Sequence, residues 1–464
     1  MYTLEKANQY IEQNKSKVVP EFRLKYHAMP DIGWMNDPNG LVYYKNRYHV
    51  FFQHYPYDSV WGAMHWGHLV SDDLVIFRSL PVALAPDQED ETGCFSGGAI
   101  VDPEDPDLLY LFYTKHDEKN GIIRETQGLA ISRDGIRFEK RNHPVIGVKD
   151  LPEHASITDF RDPNPFYHNG YYYVFIGSKN HSNEGQFLIY RSKDLNHFEY
   201  HDTIRHPKYF GTMAECPDFS MIDGQGVLLY SAINLQKQGL RFRNINSSLY
   251  IIGDFDLERK TYAFHTIDEI DKGHHFYAPQ TLVDGRGRTI MIAWMDMWGQ
   301  PYVTHELGHY WSGALTFPRE LMVKGGILYQ YPVEEIKNYY GMKIAIQDGV
   351  ILPKQVDLFL MKTAEPFSIV FSNILDENDA FTIQYDGSYV WFDGEKIKLY
   401  PLSQRSTTYC YEEVSLRILL DTSSVEIFVN EGREAITSRV YLRCDGYRLQ
   451  VRGNVQGEAM VLNV

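Results

Sequence analysis

An aromatic-rich apolar run of about six residues recurs along the first two-thirds of the chain, and this repeat constrains the fold most strongly. Successive runs begin 60, 63, 56 and 62 residues apart, at Tyr48, Leu108, Tyr171, Val227 and Thr289. A period near 60 residues leaves room for about four short strands and their turns. The sequence therefore predicts a four-stranded unit that is repeated five times.

A second motif lies about 20 residues after each of the first four runs. It consists of an apolar stretch, a polar turn with Asp, and an aromatic residue, and its copies begin at Ser71, Ser132, Ser192 and, more loosely, Gly253. The motif predicts two neighbouring strands joined by a Ser-x-Asp hairpin turn. Five such units are typical of a five-bladed β-propeller. A β-sandwich with coincidental spacing is the alternative, whereas a solenoid fits poorly because helical periodicity is absent.

The repeat stops after about residue 331, and a different pattern follows. Residues 333–340 are predicted to form a short helical connector. Period-two alternation in segments such as 425–430 and 448–452 predicts an antiparallel β-sandwich. We therefore expect an all-β chain with a propeller domain (1–332), a connector (333–344) and a β-sandwich domain (345–464), since 464 residues exceed one ordinary core.

Charge and composition exclude several classes of function. A net charge of −16 would repel a phosphate backbone, so nucleic acid is not an expected partner. No apolar run approaches the roughly 18 residues of a membrane span, and the polar residues 1–17 lack the apolar run of a secretory signal. Four scattered cysteines indicate free thiols in a reducing compartment. These features predict a cytoplasmic protein without a membrane partner, and they point to no particular oligomeric state.

Polar and aromatic residues of unusual type recur with the same period as the predicted blades. They are Asn36-Asp37, Phe95-Ser96, Arg161-Asp162, Glu215-Cys216, and Tyr277 with Trp294. Residues on the innermost strand of each blade meet at the end of the central channel of a propeller. The period therefore predicts three acids, one arginine and several aromatic rings around one funnel.

Each acid also has a simpler interpretation. Asp37 begins Asp-Pro-Asn-Gly, which is a common turn sequence. Proline also drives the preceding residue into an extended conformation, so the alternative is that Asp37 and Asp162 each end a strand with the carboxylate aimed into the funnel. Glu215 could lie at a solvated strand end, but its mostly apolar neighbours favour a partly buried, unpaired carboxylate that is suited to a general acid.

These blocks resemble the signature sequences of glycoside hydrolase family 32, which contains invertases, fructanases and sucrose-6-phosphate hydrolases. The four most specific blocks are Trp34-Met-Asn-Asp-Pro-Asn-Gly, Phe95-Ser-Gly, Arg161-Asp-Pro and Glu215-Cys-Pro-Asp. Further matching stretches begin at Trp61, Phe276, Trp294, Trp311 and Ser424, so the resemblance covers nearly the whole chain in the family's order. It implies a five-bladed propeller with a β-sandwich, and a retaining β-fructosidase that needs no metal or organic cofactor.

The resemblance also implies a role for each site residue. Asp37 would be the nucleophile, Glu215 the general acid/base and Asp162 the transition-state stabiliser, with Arg161 restraining the charge of Asp162. The predicted substrate-binding residues, of which Tyr277 is assigned by blade spacing, are Asn36, Gln53, Trp61, Phe95, Ser96, Arg161, Tyr277 and Trp294. Two residues depart from the family pattern: His275 stands where Asp is common, and Gly98 follows Phe95-Ser-Gly.

The substrate is expected to be sucrose or a short fructo-oligosaccharide, with sucrose-6-phosphate as the alternative. His275 stands where Asp is common in the family, and this difference would alter the site that binds the leaving group. Most loops predicted at the funnel rim are neutral or acidic, and a phosphate site would need clustered cations. The basic residues that cluster there are Lys237, Arg241 and Arg243. The rim therefore favours unphosphorylated sugars modestly.

Three other interpretations have weaker support. His305-Glu-Leu-Gly-His309 fits the zinc-protease pattern H-E-x-x-H, but Pro301 and Gly308 predict a loop rather than a helix that presents both imidazoles, so no metal is expected. A non-enzymatic sugar-binding propeller would not need three clustered carboxylates. An inverting glycosidase of a related five-bladed class would not be expected to carry the Asp37 and Glu215 blocks.

Overall fold

The computed structural model describes residues 2–464, and this part of the chain is almost entirely β-structure. Its helices are short: α1 (Leu4–Asn14), α2 (Val303–Glu306), and the 3-10 helices Lys15–Lys17, Val148–Asp150 and Glu334–Tyr339. Thr3 caps α1 by accepting a hydrogen bond from the Lys6 backbone N–H. The last 3-10 helix lies within the predicted helical connector. No helix among the described residues is long and apolar enough to cross a membrane.

Five antiparallel groups of four strands follow one another along the chain, and a pairing of Ser178 with Ala214 joins the third and fourth groups into one eight-stranded sheet. The first two groups are β1 (Gly33–Tyr44), β2 (Arg47–Tyr55), β3 (His65–Ser71), β4 (Phe77–Leu84), and β5 (Gly93–Val101), β6 (Leu109–Lys119), β7 (Ile122–Ser132), β8 (Glu139–Lys140). The next two are β9 (Ala155–His168), β10 (Tyr171–Asn180), β11 (Gly185–Ser192), β12 (Glu199–Arg205), and β13 (Ala214–Ile222), β14 (Gln225–Ile233), β15 (Asn246–Asp256), β16 (Thr261–Glu269). The fifth contains β17 (Tyr277–Val283), β18 (Thr289–Trp294), β20 (Arg319–Lys324) and β21 (Ile327–Pro332), with β19 (Trp311–Ser312) lying outside it. The five predicted aromatic runs form the second strands β2, β6, β10, β14 and β18.

The predicted Ser-x-Asp turns join the third and fourth strands of the first three groups. In each turn the serine Oγ accepts a backbone N–H three residues later, as Ser71 does from Leu74 at 2.8 Å. The aspartate then accepts the next N–H groups, as Asp73 does from Val75 and Ile76 at 3.0 Å. The residue after the aspartate takes a left-handed conformation, with φ of 64°, 71° and 60° at Leu74, Gly135 and Leu195. One local motif therefore builds the same hairpin three times.

The first strands of the five groups lie beside one another in chain order: β1 contacts β5, β5 contacts β9, β9 contacts β13, and β13 contacts β17. Strand β17 also contacts β1. The two-residue strand β19 pairs in parallel with β1 at Gly33 and Trp34. The first strand of the chain therefore pairs with β19, from late in the chain, on one side and with β2 of its own group on the other.

The remainder of the chain forms two six-stranded antiparallel sheets. In sheet order, one contains β22 (Tyr340–Ala345), β33 (Gly457–Leu462), β24 (Val356–Thr363), β29 (Val414–Asp421), β30 (Ser424–Val429) and β31 (Glu434–Arg439). The other contains β23 (Ile351–Pro353), β32 (Gly446–Arg452), β25 (Phe367–Asn373), β26 (Asp376–Tyr385), β27 (Val390–Gly394) and β28 (Leu402–Ser406). Alternate residues of both sheets contribute to one buried apolar cluster that extends from Ile346 to Ala459.

A buried polar network joins these sheets to the five groups. The guanidinium of Arg319, on β20, donates to Asp271, at 3.0 Å, and to Glu426 on β30 at 2.5 Å. The imidazole of His27 lies between Glu426 and Asp421, at 2.9 and 2.8 Å. Because every charged member has a partner, the network fixes the relative position of the two parts of the chain without leaving a buried charge unpaired. All four cysteines are free thiols.

Candidate functional site

Each of the five first strands contains a register shift, and the predicted site residues lie at these bulges. The shifts fall between Met35 and Pro38, Phe95 and Gly97, Arg161 and Asn164, Glu215 and Asp218, and Tyr277 and Gln280. Four of the bulges contain a proline, which a bulge tolerates because its residues need not donate to the ladder. At each bulge, one or two side chains of the first strand therefore depart from the regular alternation between the two faces of the sheet.

The bulges exclude the alternative in which Asp37 and Asp162 end strands. Both residues lie inside a strand that continues beyond the following proline. Asp162 is not extended either: its φ is 64°, and Cys216 and Ala278, at the equivalent place in the next two groups, have φ of 48° and 49°. Bulge geometry thus overrides the extended preference of a residue before proline.

A cavity of about 460 Å³ opens where the bulges meet. Nine of the eleven predicted site residues line it: Asn36, Asp37, Gln53, Trp61, Phe95, Ser96, Arg161, Asp162 and Glu215. The other two lie behind its wall. The hydroxyl of Tyr277 donates to Glu215 Oε2 at 2.6 Å, and the fully buried Trp294 packs against Trp34 and Trp298.

Asp37 carries a buried carboxylate with one free oxygen. Its Oδ2 accepts hydrogen bonds from Ser96 Oγ at 2.8 Å and from Cys216 Sγ at 3.7 Å. Its Oδ1 has no hydrogen-bond partner among the described residues. Burial raises the pKa of Asp37 to about 6; the Ser96 hydrogen bond opposes this rise and the charge of Glu215 adds to it. At neutral pH the carboxylate is therefore ionised, and Oδ1 is available to a bound molecule.

Asp162 lies close to the same thiol. Its Oδ2 accepts the backbone N–H of Cys216 at 2.9 Å and the Cys216 thiol at 3.5 Å, and its own N–H donates to Thr114 Oγ1 at 2.8 Å. Burial raises the pKa of Asp162 above its ordinary value, the positive charge of Arg161 opposes the rise, and the negative charge of Glu215 adds to it. The protonation of Asp162 therefore depends on the charges around it.

Glu215 is paired, contrary to the expectation of an isolated carboxylate. Arg161 donates to its Oε1 from Nε at 3.1 Å and from Nη2 at 2.9 Å. Nη1 of the same guanidinium donates to Glu125 and Asp159, each at 3.2 Å. The hydrogen bonds of Arg161 therefore go to Glu215, Glu125 and Asp159, and its positive charge acts on Asp162 without a hydrogen bond.

Sequence reasoning missed several cavity residues. His116 and Glu125 line the cavity from β6 and β7, and their side chains meet at 3.2 Å. The His116 ring stacks on Phe95 with centroids 4.0 Å apart. Because these residues lie on second and third strands, the spacing of the first strands gave no signal for them. Trp298, in the loop after β18, lines the cavity in place of Trp294.

The H-E-x-x-H segment does not form a loop throughout, as expected, because Val303–Glu306 is the one-turn helix α2. Its two imidazoles have different partners: His305 Nδ1 lies 2.8 Å from Ser59 Oγ, and His309 Nε2 lies 3.4 Å from Glu21. Between residues 2 and 464 no three His, Cys, Asp or Glu side chains come together in a possible metal site.

One of the expected rim cations, Arg241, is engaged with another group. Arg241 pairs with Asp268 at 2.9 Å. His275 is buried away from the cavity, where its Nδ1 accepts the Arg439 backbone N–H at 3.0 Å. Burial lowers the pKa of His275 to about 3, so the ring is neutral. His275, which departs from the family pattern, therefore lies at the contact between the two parts of the chain and does not lie at the cavity.

Comparison with known proteins gives consistent matches along the chain. The family model for the glycosyl hydrolases family 32 N-terminal domain matches residues 27–332, and the model for the family 32 C-terminal domain matches residues 359–462. A sucrose-6-phosphate hydrolase of Escherichia coli is 36% identical over 436 residues, covering 90% of this chain and 88% of the relative. A raffinose invertase of the same organism is 36% identical over 446 residues, with 92% and 91% covered.

Solved structures match over nearly the full length. A family 32 β-fructofuranosidase of Bombyx mori has a TM-score of 0.89 and 32% identity, with 99% of this chain and 97% of that chain covered. A sucrose-6-phosphate hydrolase from Lactobacillus gasseri has a TM-score of 0.89 and 27% identity, with 99% of each chain covered.

Proposed function

The chain belongs to glycosyl hydrolases family 32 and is a β-fructofuranosidase, and from that premise we propose how it releases fructose and from which sugars. The substrates proposed are sucrose and short fructo-oligosaccharides, cleaved at a terminal β-D-fructofuranose with retention of configuration. The observation that carries the mechanism is the single cavity that holds a buried Asp37 with a free Oδ1 and a Glu215 held on both oxygens.

Asp37 is the proposed nucleophile. Its Oδ1 attacks the anomeric carbon of the fructose while Glu215 transfers a proton to the departing oxygen, so that the glycosidic bond breaks and the leaving sugar departs neutral. Glu215, now ionised, then takes a proton from water, and the resulting hydroxide displaces Asp37 from the fructosyl-enzyme. Arg161 and Tyr277 hold Oε1 and Oε2 of Glu215, so the carboxyl group needs little reorientation between the two steps.

Asp162 is the proposed transition-state stabiliser. Positive charge develops on the fructose ring as the bond breaks, and this charge favours the ionised form of Asp162 although burial raises the pKa of Asp162. The negative charge of ionised Asp162 in turn lowers the energy of that state. The ring would be held by the other cavity residues, with Trp61 and Phe95 as apolar walls and Asn36, Gln53 and Ser96 as hydrogen-bonding groups. Tyr277 would act through Glu215, and Trp294 through the packing of Trp298. The chemistry requires no metal or cofactor.

The charge of the cavity favours an unphosphorylated sugar. Five acidic side chains line it, from Asp37, Glu125, Asp159, Asp162 and Glu215, whereas Arg161 is the only Lys or Arg among the cavity-lining residues described within 2–464. Three of those carboxylates already engage Arg161. A sugar phosphate carries about two negative charges at neutral pH and would be repelled. Sucrose-6-phosphate hydrolysis is the second candidate, because the Escherichia coli relative at 36% identity is named for it.

Steady-state kinetics separate the candidates. We expect kcat/KM at neutral pH to be higher for sucrose or the trisaccharide kestose than for sucrose-6-phosphate. A tenfold preference for the phosphorylated sugar, about 1.4 kcal/mol, that is abolished by Arg241→Ala or Arg243→Ala would establish the second candidate instead. Tight binding of all three sugars without turnover would show a sugar-binding protein.

The finer architecture is also part of the proposal. The succession of contacts from β1 through β17 and back to β1 supports a closed five-bladed propeller over residues 1–332. The shared core of the two six-stranded sheets supports a β-sandwich over residues 345–464, after a connector at 333–344. Four free thiols support a location in the reducing cytoplasm.

A further inference from the structure

The motif that the mechanism leaves unused, His305-Glu-Leu-Gly-His309, makes a long-range contact with the loop that carries the cavity residue Trp61. Nδ1 of His305 lies 2.8 Å from Ser59 Oγ, and the two residues are 246 positions apart in sequence. Ser59 is only 5% exposed, although it lies in the loop between β2 and β3. Asp58 accepts the Ser59 backbone N–H at 2.7 Å and lies 3.9 Å from the same imidazole nitrogen. The contact therefore has a defined geometry on both sides.

The loop that carries Ser59, residues 56–64, also carries Trp61, which lines the cavity and is 49% exposed. Across the described chain, no backbone N–H···O=C bond is made by residues 58–62, so side chains hold this part of the loop. At its start, the Tyr57 carbonyl accepts a hydrogen bond from the Tyr10 hydroxyl of α1 at 3.2 Å. Between that anchor and Trp61, the polar attachments to another segment that the described residues show are the contacts of Ser59 and Asp58 with His305.

His305 is held firmly enough to serve as an anchor. It lies on α2, and the neighbouring Thr304 hydroxyl donates to the Trp311 carbonyl at 2.6 Å. Trp311 begins β19, which pairs with the nucleophile strand β1. The segment before α2 carries Trp298, which lines the cavity, and Tyr302, whose ring meets Trp34 at 4.6 Å. Through His305, the loop of Trp61 is therefore joined to the segment of Trp298.

We propose that the Ser59–His305 hydrogen bond is a clasp that positions Trp61 at the cavity mouth, and that His305 is a positioning residue for sugar binding. Trp61 contacts Phe95 edge-on at 5.9 Å, which fixes one face of its ring. The clasp restricts the loop at Ser59, two residues before Trp61. It therefore limits how far the Trp61 ring can move away from the cavity. An ordered aromatic wall loses less conformational freedom when a sugar binds, and affinity rises accordingly.

The test uses the full-length protein and three variants. His305→Ala and Ser59→Ala remove the clasp from either side, and each is expected to raise KM for sucrose about fivefold while kcat changes less than twofold; fivefold corresponds to about 1 kcal/mol, the usual net value of one hydrogen bond. The double variant is expected to match the single ones, because both remove the same bond. His305→Asn keeps a polar atom at the Nδ1 position and is expected to restore most of the affinity.

His309→Ala is the matched control, because it removes the other imidazole of the motif, which contacts Glu21 rather than Ser59. It is expected to leave KM unchanged. An unchanged KM in His305→Ala and Ser59→Ala, or additive effects in the double variant, would overturn the clasp. So would a parallel loss of kcat and thermal stability in both variants, which indicates a purely structural bond.

The kinetic readout rests on the proposed function, so a second readout is independent of it. Acrylamide quenching of tryptophan fluorescence is expected to increase in His305→Ala, and the increase is expected to vanish when Trp61→Phe is introduced as well. An increase that persists in the Trp61→Phe background would overturn the proposal. If the wild-type protein cleaves no fructoside, the proposed function fails, and the quenching result still decides whether the clasp positions Trp61.

Discussion

Replacing the proposed nucleophile with its amide, Asp37→Asn, is expected to stabilise the protein while abolishing catalysis. Ionised Asp37 is costly in the folded state because its carboxylate is buried, its Oδ1 has no hydrogen-bond partner within residues 2–464, and the charge of Glu215 lies nearby. Asparagine removes the charge and can still accept the Ser96 hydrogen bond. The turnover number should fall by roughly four orders of magnitude, since no covalent intermediate can form.

The size of the stabilisation follows from the pKa. Folding raises the pKa of Asp37 from 3.8 to about 6, a rise of about two units, and each unit corresponds to 1.36 kcal/mol. Because the folded state binds the proton more tightly, the stability of the wild type falls as pH rises from about 4 to about 6. At neutral pH the ionised carboxylate therefore costs about 3 kcal/mol, and below pH 4 it costs almost nothing.

Urea unfolding followed by far-UV circular dichroism at pH 4 and pH 7.5 measures this difference. The gain in unfolding free energy of Asp37→Asn over the wild type is expected to be near zero at pH 4 and about 3 kcal/mol at pH 7.5. Asp445→Asn, at an exposed aspartate, serves as the control and should show no such pH dependence. A variant that is no more stable than the wild type at pH 7.5, or a gain of the same size at both pH values, would refute the reasoning.

Three further outcomes are expected. Glu215→Ala should lose several orders of magnitude of kcat on sucrose but much less on a fructoside whose leaving group needs no protonation; equal losses on both substrates would exclude the acid role. Ser96→Ala should move the acidic limb of kcat/KM, expected near pH 6 in the wild type, to higher pH, because Ser96 opposes the raised pKa of Asp37; an unmoved limb would show that Asp37 does not set it. NMR of the first product should show retained anomeric configuration, and inverted fructose would rule out the covalent route.

The sequence predicted the strands better than their internal geometry. Runs such as the one at Tyr171 start strands because period, aromatic content and turn residues all agree there. The bulges were not predicted, since a bulge depends on how two strands pair and a single strand does not show its partner's register. This is why Asp162, for which an extended strand end was one alternative, is instead left-handed within a strand.

The site residues also divide into those that the sequence predicted and those that it did not. Asp37, Asp162 and Glu215 could be grouped because each lies on a first strand and recurs with the period. His116 and Glu125 lie on other strands of one group, where the period carries no information. The pairing of Arg161 with Glu215 joins two groups 54 residues apart, and its distance of 2.9 Å depends on how neighbouring sheets pack rather than on sequence spacing.

The parallel pairing of β1 with β19 sets a condition on biosynthesis. The strand that carries Asp37 is synthesised early, but its edge at Gly33 and Trp34 stays open until Trp311 and Ser312 have been made, about 280 residues later. At about 5 to 20 residues per second, the ribosome needs roughly 15 to 60 s for that length. During this interval an apolar strand edge next to the future nucleophile is exposed to other nascent chains. Protection of the N-terminal segment on the ribosome therefore bears on how much active protein a cell obtains.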